Sequence, residues 1–257
     1  MRRLAQRRTP RHTSLRMSRV RSPHYSALRR VPGLVAVARA LRELLDPDQR
    51  EIARLRRSRT DLFQPFPSTR CDRHPTLFKA LALRLAVIEA PEILSFGCAS
   101  GEEVRTLRAL LPHARMTGID PNRRAIAKAR EADPNPLSSY IAADRPEPQA
   151  RYDAVLALAV FRHGALRSAV PPASCADLLP FSRIEAGIAR LDDVLRPGGW
   201  LALANSQFRL EDTAVADRYG PGEVLGTGGQ IDPLYGPDNR LIEVSSRPPV
   251  LYRKLAG

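Results

Sequence analysis

One short stretch, residues 92–104 (EILSFGCASGEEV), constrains the fold of this chain more than any other part of it. Residues 92–96 are predicted to form a buried strand, and residues 97–101 a tight turn of small side chains. A helix is predicted to begin at the two glutamates that follow. A strand, a small-residue turn and a helix N-terminus together form a nucleotide-type site, because the turn lets a ligand approach the backbone and the first helical N–H groups point at it.

The spacing of the small residues indicates which kind of ligand fits this turn. Dinucleotide-binding folds use G-x-G-x-x-G, whereas Gly97, Ala99 and Gly101 follow a G-x-A-x-G spacing, and Glu102 stands where the last dinucleotide glycine would be. A carboxylate there suits the positive end of the helix dipole but repels a pyrophosphate. The phosphate-binding pattern G-x-x-x-x-G-K-[ST] is absent from this turn. A ligand with an adenosine and a cationic group but no phosphate fits better, and S-adenosylmethionine has that character.

The stretch resembles motif I of class I S-adenosylmethionine-dependent methyltransferases, in the S-x-G-x-x-x-G-E-E form of the chemotaxis-receptor glutamate methyltransferases. Later parts of the chain agree with this family in order and spacing: Asp120 at the end of a predicted strand at 115–120, Asp144 after one at 138–142, and a Pro-Gly-Gly turn before one at 200–206. The resemblance covers roughly residues 66–257. For the turn alone, a plain strand-to-helix connection in another α/β protein is the alternative interpretation.

The predicted fold is a Rossmann-like α/β domain with a seven-stranded mixed sheet, in the order 3-2-1-4-5-7-6, and helices on both faces. Strand four is expected at 152–161, and segments 240–244 and 249–255 are expected to form the antiparallel hairpin that closes such sheets. The strand order rests on the alternation of apolar runs with amphipathic helices and on right-handed crossovers. Residues 61–257 are predicted to be the methyltransferase domain, and residues 1–60 a basic extension that is first disordered and then helical.

The resemblance implies S-adenosylmethionine as the cofactor and assigns its site residues. Asp120 is expected to accept hydrogen bonds from the ribose hydroxyls and Asp144 one from the adenine amine. Thr69 and Arg73 precede the fold as a Thr and an Arg do in the receptor methyltransferases, and a guanidinium can form a charge-assisted fork with the methionine carboxylate. A plain surface loop is the alternative there. The other expected contacts are Gly97, Cys98, Ala99, Ser100, Gly101, Glu103 and Pro121.

The methyl acceptor is left open between a small molecule and a protein. Leu158 and Ala159 stand where the receptor-methylating branch has an Arg-Asn pair, so a protein-glutamate acceptor is not supported. No Asn-Pro-Pro-Tyr-like motif follows strand four, which argues against methylation of adenine or glutamine amines. His163 is the histidine best placed for a general base, with a surface-loop histidine as the alternative. No metal site is expected, because the three cysteines are far apart with no C-x-x-C pairing.

The basic charge of the chain is concentrated in its first sixty residues. They hold 17 Arg and four acidic residues, a net charge of +13, whereas the whole chain carries +14. Residues 1–30 contain no acid and are predicted to be disordered. They fit an arm for nucleic acid or an acidic surface, an organelle transit peptide, a segment ahead of a later start at Met17, or a solvated tail. The alternative function is therefore an RNA-directed or non-catalytic cofactor-binding protein that uses this arm.

The cellular compartment is predicted from the apolar runs and the cysteine spacing of the sequence. No apolar run approaches the roughly 18–20 residues that a membrane helix needs. The unpaired spacing of the cysteines favours a reducing compartment. The prediction is a cytoplasmic protein, or an organelle-targeted one if residues 1–30 are a transit peptide.

Overall fold

Short apolar strands form the centre of the fold, as the sequence predicts. The computed structural model describes residues 45–58, 63, 73–226, 232–243 and 246–256. The predictions for residues 1–44 and for Thr69 lie outside the described residues. The parallel strands in the described part are β1 (Glu92–Phe96), β2 (Arg115–Ile119), β3 (Ser138–Ile141), β4 (Tyr152–Leu158) and β5 (Leu195–Ala204).

Helices cover both faces of this sheet. They are α1 (Pro47–Arg57), α2 (Pro75–Leu85), α3 (Glu102–Leu110), α4 (Arg123–Ala132) and α5 (Phe181–Val194). One buried apolar cluster joins α2, α3 and α4 to Ile93 and Leu156, and the other joins α5 to Leu94 and Val155. The strand residues divide in this way because successive side chains of a strand point to opposite faces. No helix in the described ranges is both long and apolar enough to cross a membrane.

The strand order confirms the predicted Rossmann-like topology. Within the described residues the main sheet has the order β3-β2-β1-β4-β5-β8, where β8 (Leu251–Arg253) is antiparallel to β5. The central position of β1 places the turn at 97–101 between two crossovers of opposite direction. Ligands of open α/β sheets bind at this topological switch point, outside the carboxyl ends of the strands.

The predicted closing hairpin is wrong in one respect, because its first strand does not join the main sheet. Among its described residues, Leu241–Ile242 (β7) form a strand, which pairs with Leu234–Tyr235 (β6) in a separate two-stranded sheet. The outer edge of β8 is instead met by residues 219–223 through single bridges at Tyr219 and Glu223. Pro221 lies between these bridges and has no N–H to donate, so the segment cannot form a regular ladder.

The Pro-Gly-Gly segment is also not the free turn that was predicted. It lies inside β5 as a bulge, because Tyr152 pairs with Leu195 whereas Ala154 pairs with Trp200. A Cβ on Gly199 would be 2.9 Å from the carbonyl oxygen of Asp153, so only glycine lets the two strands approach here. The strand β4 is likewise shorter than predicted and ends at Leu158.

Candidate cofactor site

The predicted site residues that follow strands lie at the carboxyl edge of the sheet. The backbone there is unusual, because left-handed residues follow three neighbouring strands. Ala99 (φ 48°) lies in the turn after β1, Ala159 (φ 61°) directly after β4 and Asn205 (φ 51°) directly after β5. Such conformations are uncommon for residues other than glycine and cluster at ligand sites. This edge is therefore the candidate site on backbone geometry alone.

The turn at 97–101 is held to the end of β2. The N–H groups of Gly97 and Cys98 both donate to the carbonyl oxygen of Ile119, at 2.8 and 3.0 Å, and the N–H of Gly101 donates to Cys98. Gly97 (φ 74°) and Gly101 (φ 81°) are both left-handed. A Cβ at Gly97 would lie 2.5 Å from a methyl carbon of Val160, which follows β4. The turn thus requires glycine for its shape and for close packing.

The start of α3 offers hydrogen-bond donors to a ligand. Among the described residues, the backbone N–H groups of Ser100 and Glu102 have no acceptor. The carboxylate of Glu102 accepts from the Ser100 hydroxyl at 2.9 Å and lies 3.5 Å from the guanidinium of Arg105. The turn therefore combines open amide donors with a fixed negative charge, and this pairing favours a ligand without a pyrophosphate.

Asp120 connects this turn to the loop after β2. Its carboxylate accepts from the N–H of Ala99 at 3.0 Å and from the N–H of Asn122 at 2.8 Å. The residue is only 8% exposed. Burial raises the pKa of Asp120 to about 6, against the opposite effect of the two N–H donors. Each carboxylate oxygen has a second lone pair that can accept from a ligand hydroxyl.

Arg73 and Glu103, two of the predicted contacts, lie together at this edge. A guanidinium nitrogen of Arg73 is 2.7 Å from a carboxylate oxygen of Glu103 and 3.3 Å from the carbonyl oxygen of Leu158. Ser95 lies 3.4 Å from the other carboxylate oxygen. Burial raises the pKa of Glu103 to about 7, although the charge of Arg73 lowers it. In this structure the guanidinium thus bridges α3 and the end of β4.

The remaining predicted contacts differ in how they face the site. The thiol of Cys98 is buried and points at Gly118, so only the backbone of Cys98 belongs to the turn. The carbonyl oxygen of Pro121 accepts from Arg54 at 3.2 Å. Asp144 follows β3 and forms an ion pair with its neighbour Arg145 at 3.1 Å. Within the described part of the chain, no hydrogen bond or ion pair joins Asp144 to Asp120 or to the turn.

His163 caps a short helical turn after β4. The Nδ1 atom of its ring accepts from the backbone N–H of Ala165 at 3.3 Å. The backbone N–H of His163 donates to the side-chain oxygen of Gln207 at 2.7 Å. Burial, together with the charge of Arg56, lowers the pKa of His163. The lowered pKa favours the neutral imidazole, and an Nδ1 that accepts from Ala165 leaves the ring proton of this form on Nε2.

Two pairs of side chains at this edge were not predicted from the sequence. The amide nitrogen of Asn205 lies 3.3 Å from Nε2 of His74, which is 1% exposed. Phe63 packs edge-to-face on Phe161, with ring centroids 4.8 Å apart. An asparagine at a strand end is a usable signal, because it tolerates left-handed backbone. Phe63 precedes β1 by some 30 residues and is not part of a periodic pattern of apolar residues.

No group of three or more His, Cys, Asp or Glu side chains is placed to hold a metal ion in the described part of the chain.

The segment that contains this edge is similar to a known protein family. A family model described as a methyltransferase domain matches residues 94–201. The match runs from β1 into β5 and includes the turn, Asp120 and the bulge of β5. No curated protein sequence matches the chain.

Several solved structures resemble the chain at low identity. The plantazolicin methyltransferase BpumL in complex with SAH is 21% identical over 64% of this chain and 56% of its own, with a TM-score of 0.37. SAM-bound CalS10, an amino pentose methyltransferase from Micromonospora echinaspora, is 21% identical over 55% of this chain and 53% of its own, with a TM-score of 0.39. DesVI from Streptomyces venezuelae is 17% identical over 54% and 55%, with a TM-score of 0.36. The chain thus spans little more than half the length of these proteins.

Proposed function

We propose that this chain is an S-adenosylmethionine-dependent methyltransferase that acts on a small molecule or a protein. The observation that carries the proposal is the carboxylate of Asp120, held against the amide of Ala99 at the carboxyl edge of β1 and β2. This arrangement lies inside the segment that matches a methyltransferase domain. The similarity of the turn to the receptor-methylating branch remains a prediction from residues 95–103.

The residues present fit the proposed cofactor. The open N–H groups of Ser100 and Glu102 suit neutral or singly charged acceptors, and the second lone pairs of Asp120 suit ribose hydroxyls. The negative charge of Glu102 at the same turn disfavours a pyrophosphate and tolerates a cationic sulfonium. Arg73 stands at the end of β4, within reach of the edge where a ligand carboxylate would lie.

S-adenosylmethionine, when bound, supplies an electrophilic methyl group on a sulfonium. The contribution of this chain is then mainly positioning, which is worth up to about 7–11 kcal/mol of barrier in favourable cases. Asp120 and the turn would fix the nucleoside, and Arg73 would orient the amino-acid end. The neutral imidazole of His163 could take up a proton only after leaving its cap on Ala165.

Calorimetric titration with S-adenosylhomocysteine and with NAD⁺ tests the proposal. The wild-type protein should bind S-adenosylhomocysteine at least about tenfold more tightly than NAD⁺, since like charges repel at the turn. Glu102→Gln should narrow this ratio by improving the affinity for NAD⁺. The matched control is Glu131→Gln, at an exposed position of α4. Equal affinity of the wild-type protein for S-adenosylhomocysteine and NAD⁺ would overturn the proposal.

A further inference from the structure

Residues 73 and 74 join the start of α2 to the ends of two neighbouring strands. The guanidinium of Arg73 lies 3.3 Å from the carbonyl oxygen of Leu158, the last residue of β4. The side-chain amide of Asn205, directly after β5, lies 3.3 Å from Nε2 of His74. Leu158 pairs with Ala204 in the sheet, so these two contacts are made side by side. The dipeptide is thus held on the carboxyl edge of the sheet at two adjacent points.

The ring of His74 is fixed from the helix side as well. It is 1% exposed and lies edge-on to the ring of Phe78, one turn into α2, with centroids 6.3 Å apart. Phe78 also donates its backbone N–H to the carbonyl oxygen of His74 at 3.0 Å. Pro75 follows at the first position of α2 and disfavours helical backbone at His74. The start of α2 is therefore connected to β5 through one buried ring.

The hydrogen bond between Asn205 and His74 is costly to lose. An amide nitrogen can only donate, so Nε2 of the ring accepts. Because the ring is buried, loss of this donor would leave Nε2 without a replacement from water, and a buried acceptor without a donor is destabilising. Asn205 also adopts a left-handed backbone (φ 51°), which persists where the surrounding structure determines it. The contact is therefore a defined part of the carboxyl edge.

Arg73 is the residue whose position this contact would determine. Its side chain is 17% exposed, and its Nη2 atom lies 2.7 Å from Glu103 as well as 3.3 Å from Leu158. An arginine side chain is long and has many rotamers, so ordering it costs entropy. A fork with a ligand carboxylate requires the guanidinium to lie within about 0.5 Å of its productive place. A fixed backbone at residues 73 and 74 reduces the conformations that the guanidinium can sample.

We propose that His74 and Asn205 are positioning residues, whose hydrogen bond holds Arg73 where it can form a fork with the carboxylate of the bound cofactor. This inference rests on the proposed methyltransferase function. Without the contact, the nucleoside would still be bound by Asp120 and the turn at 97–101, whereas the carboxylate would lose its oriented partner. The expected signature is a selective loss of carboxylate recognition.

Calorimetric titrations with S-adenosylhomocysteine and with decarboxylated S-adenosylhomocysteine test this proposal. The two probes differ only in the carboxylate. Wild-type protein should bind S-adenosylhomocysteine about tenfold or more tightly than the decarboxylated probe. In Arg73→Gln this preference should fall to about threefold or less. His74→Leu and Asn205→Gly should lower the preference at least about threefold from the wild-type value, and should change the affinity for the decarboxylated probe by less than about twofold.

The two substitutions are chosen to remove the hydrogen bond with little other change. Leucine fills the buried site of His74 without a polar atom, and glycine adopts the left-handed backbone of Asn205 without strain. His74→Gln can place an acceptor near the position of Nε2 and should retain most of the wild-type preference. This rescue separates the hydrogen bond from the packing of the ring.

Two variants away from residues 73 and 74 serve as controls. Asn239→Gly removes another left-handed asparagine (φ 65°), which lies between β6 and β7 and accepts from the backbone N–H of Phe181 at 2.6 Å. It should leave the carboxylate preference unchanged even where it lowers stability. His113→Leu, at an exposed position, is the control for His74→Leu and should also leave the preference unchanged.

Three results would overturn the positioning role. The first is a preference that His74→Leu and Asn205→Gly leave unchanged although Arg73→Gln abolishes it. The second is an equal loss of affinity for both probes in these two variants, since the contact would then support only the fold. The third is wild-type protein that binds both probes equally, because no carboxylate recognition would then exist. Wild-type protein that binds neither probe would instead contradict the proposed function itself.

Discussion

Asp120 is the residue on which the candidate site depends most. Two backbone N–H groups hold its carboxylate between the turn after β1 and the loop after β2. A ligand hydroxyl would therefore meet an acceptor that is already in place, which lowers the entropy cost of binding. The same burial that fixes the carboxylate raises its pKa to about 6, so its charge changes within an accessible pH range.

The raised pKa gives a prediction about pH. If the ionised carboxylate accepts the ribose hydroxyls, affinity for S-adenosylhomocysteine should be constant above about pH 7 and fall as pH drops through about 6. One unit below the pKa, about one carboxylate in ten is ionised, so affinity should fall about tenfold. Asp120→Asn should bind more weakly at pH 7.5 but lack this pH dependence. Calorimetry between pH 5 and 8 measures the affinity of both proteins for S-adenosylhomocysteine. A wild-type affinity that does not change over this range would contradict the prediction.

Gly101 gives a second prediction at this scale. Its φ of 81° and its contact with Tyr140, whose hydroxyl would be 2.9 Å from an added Cβ, leave no room for a side chain. We expect Gly101→Ala to lower the free energy of unfolding by about 1–3 kcal/mol and to weaken cofactor binding at least tenfold. The control is Gly164→Ala, where an added Cβ meets no atom within 4 Å. Urea denaturation measures the free energy of unfolding of both variants, and calorimetric titration measures their cofactor affinity. Equal losses in Gly101→Ala and Gly164→Ala would refute the account of the turn.

Sequence spacing predicted some of these residues better than others. Asp120 could be found because strand, helix and strand lengths fix its distance of 23 residues from Gly97. The partner of Arg73 could not be predicted from the sequence. Its salt bridge to Glu103 depends on how α2 lies against α3, and the periodicity of apolar residues does not encode that placement. The assigned contacts of these residues with the cofactor remain predictions.

At the scale of elements, α1 supports the loop that carries Asp120 and Pro121. Glu51 accepts from the backbone N–H of Arg123, at the start of α4, at 3.0 Å and from Arg54 at 2.7 and 2.8 Å. Arg54 in turn donates to the carbonyl oxygen of Pro121. This helix lies in the basic extension, whose second part was predicted to be helical, and it begins at Pro47, because proline is well tolerated in the first turn of a helix.

Glu51 and Asp48 form a matched pair for testing this support. Glu51→Ala should lower the free energy of unfolding by about 1–3 kcal/mol, since it leaves a backbone N–H and a guanidinium without their buried acceptor. Asp48→Ala, on the same helix, removes ion pairs to Arg124 and Lys128 that are about half exposed, and should cost at most about 1 kcal/mol. Urea denaturation measures both. A larger loss from Asp48→Ala than from Glu51→Ala would contradict this account of α1.

The sheet shows where sequence patterns succeed and fail. The strand β4 was predicted because a parallel strand buried on both faces is a continuous apolar run, as residues 154–158 are. The error came after β5, where Leu241 and Ile242 look like a sheet strand but pair with Leu234 and Tyr235. Two-residue strands have no measurable alternation, so their partners depend on tertiary packing.

For the whole molecule, the unequal distribution of charge is the main feature. Residues 1–60 carry +13 of the total +14, so the remainder of the chain is almost neutral. Exposed charges act over about 8 Å at physiological salt. We therefore propose that the first thirty residues and the cofactor site work independently.

Deletion of residues 1–30 tests this independence. If the two work independently, affinity for S-adenosylhomocysteine should stay within about threefold of the full-length value. Any affinity for RNA should be lost with the segment, and in the full-length protein it should fall steeply with salt. Cofactor titration and a filter-binding assay on both proteins measure this. A truncated protein that no longer binds the cofactor would contradict the division.

The central claim is that the turn at 97–101 and Asp120 hold S-adenosylmethionine at the carboxyl edge of the sheet. A crystal structure of the full chain with S-adenosylhomocysteine tests it most directly. The account predicts ribose hydroxyls within hydrogen-bond distance of the carboxylate of Asp120, with the nucleoside along the left-handed turn of Gly97, Ala99 and Gly101. A nucleoside bound elsewhere, with Asp120 contacting only Ala99 and Asn122, would contradict it.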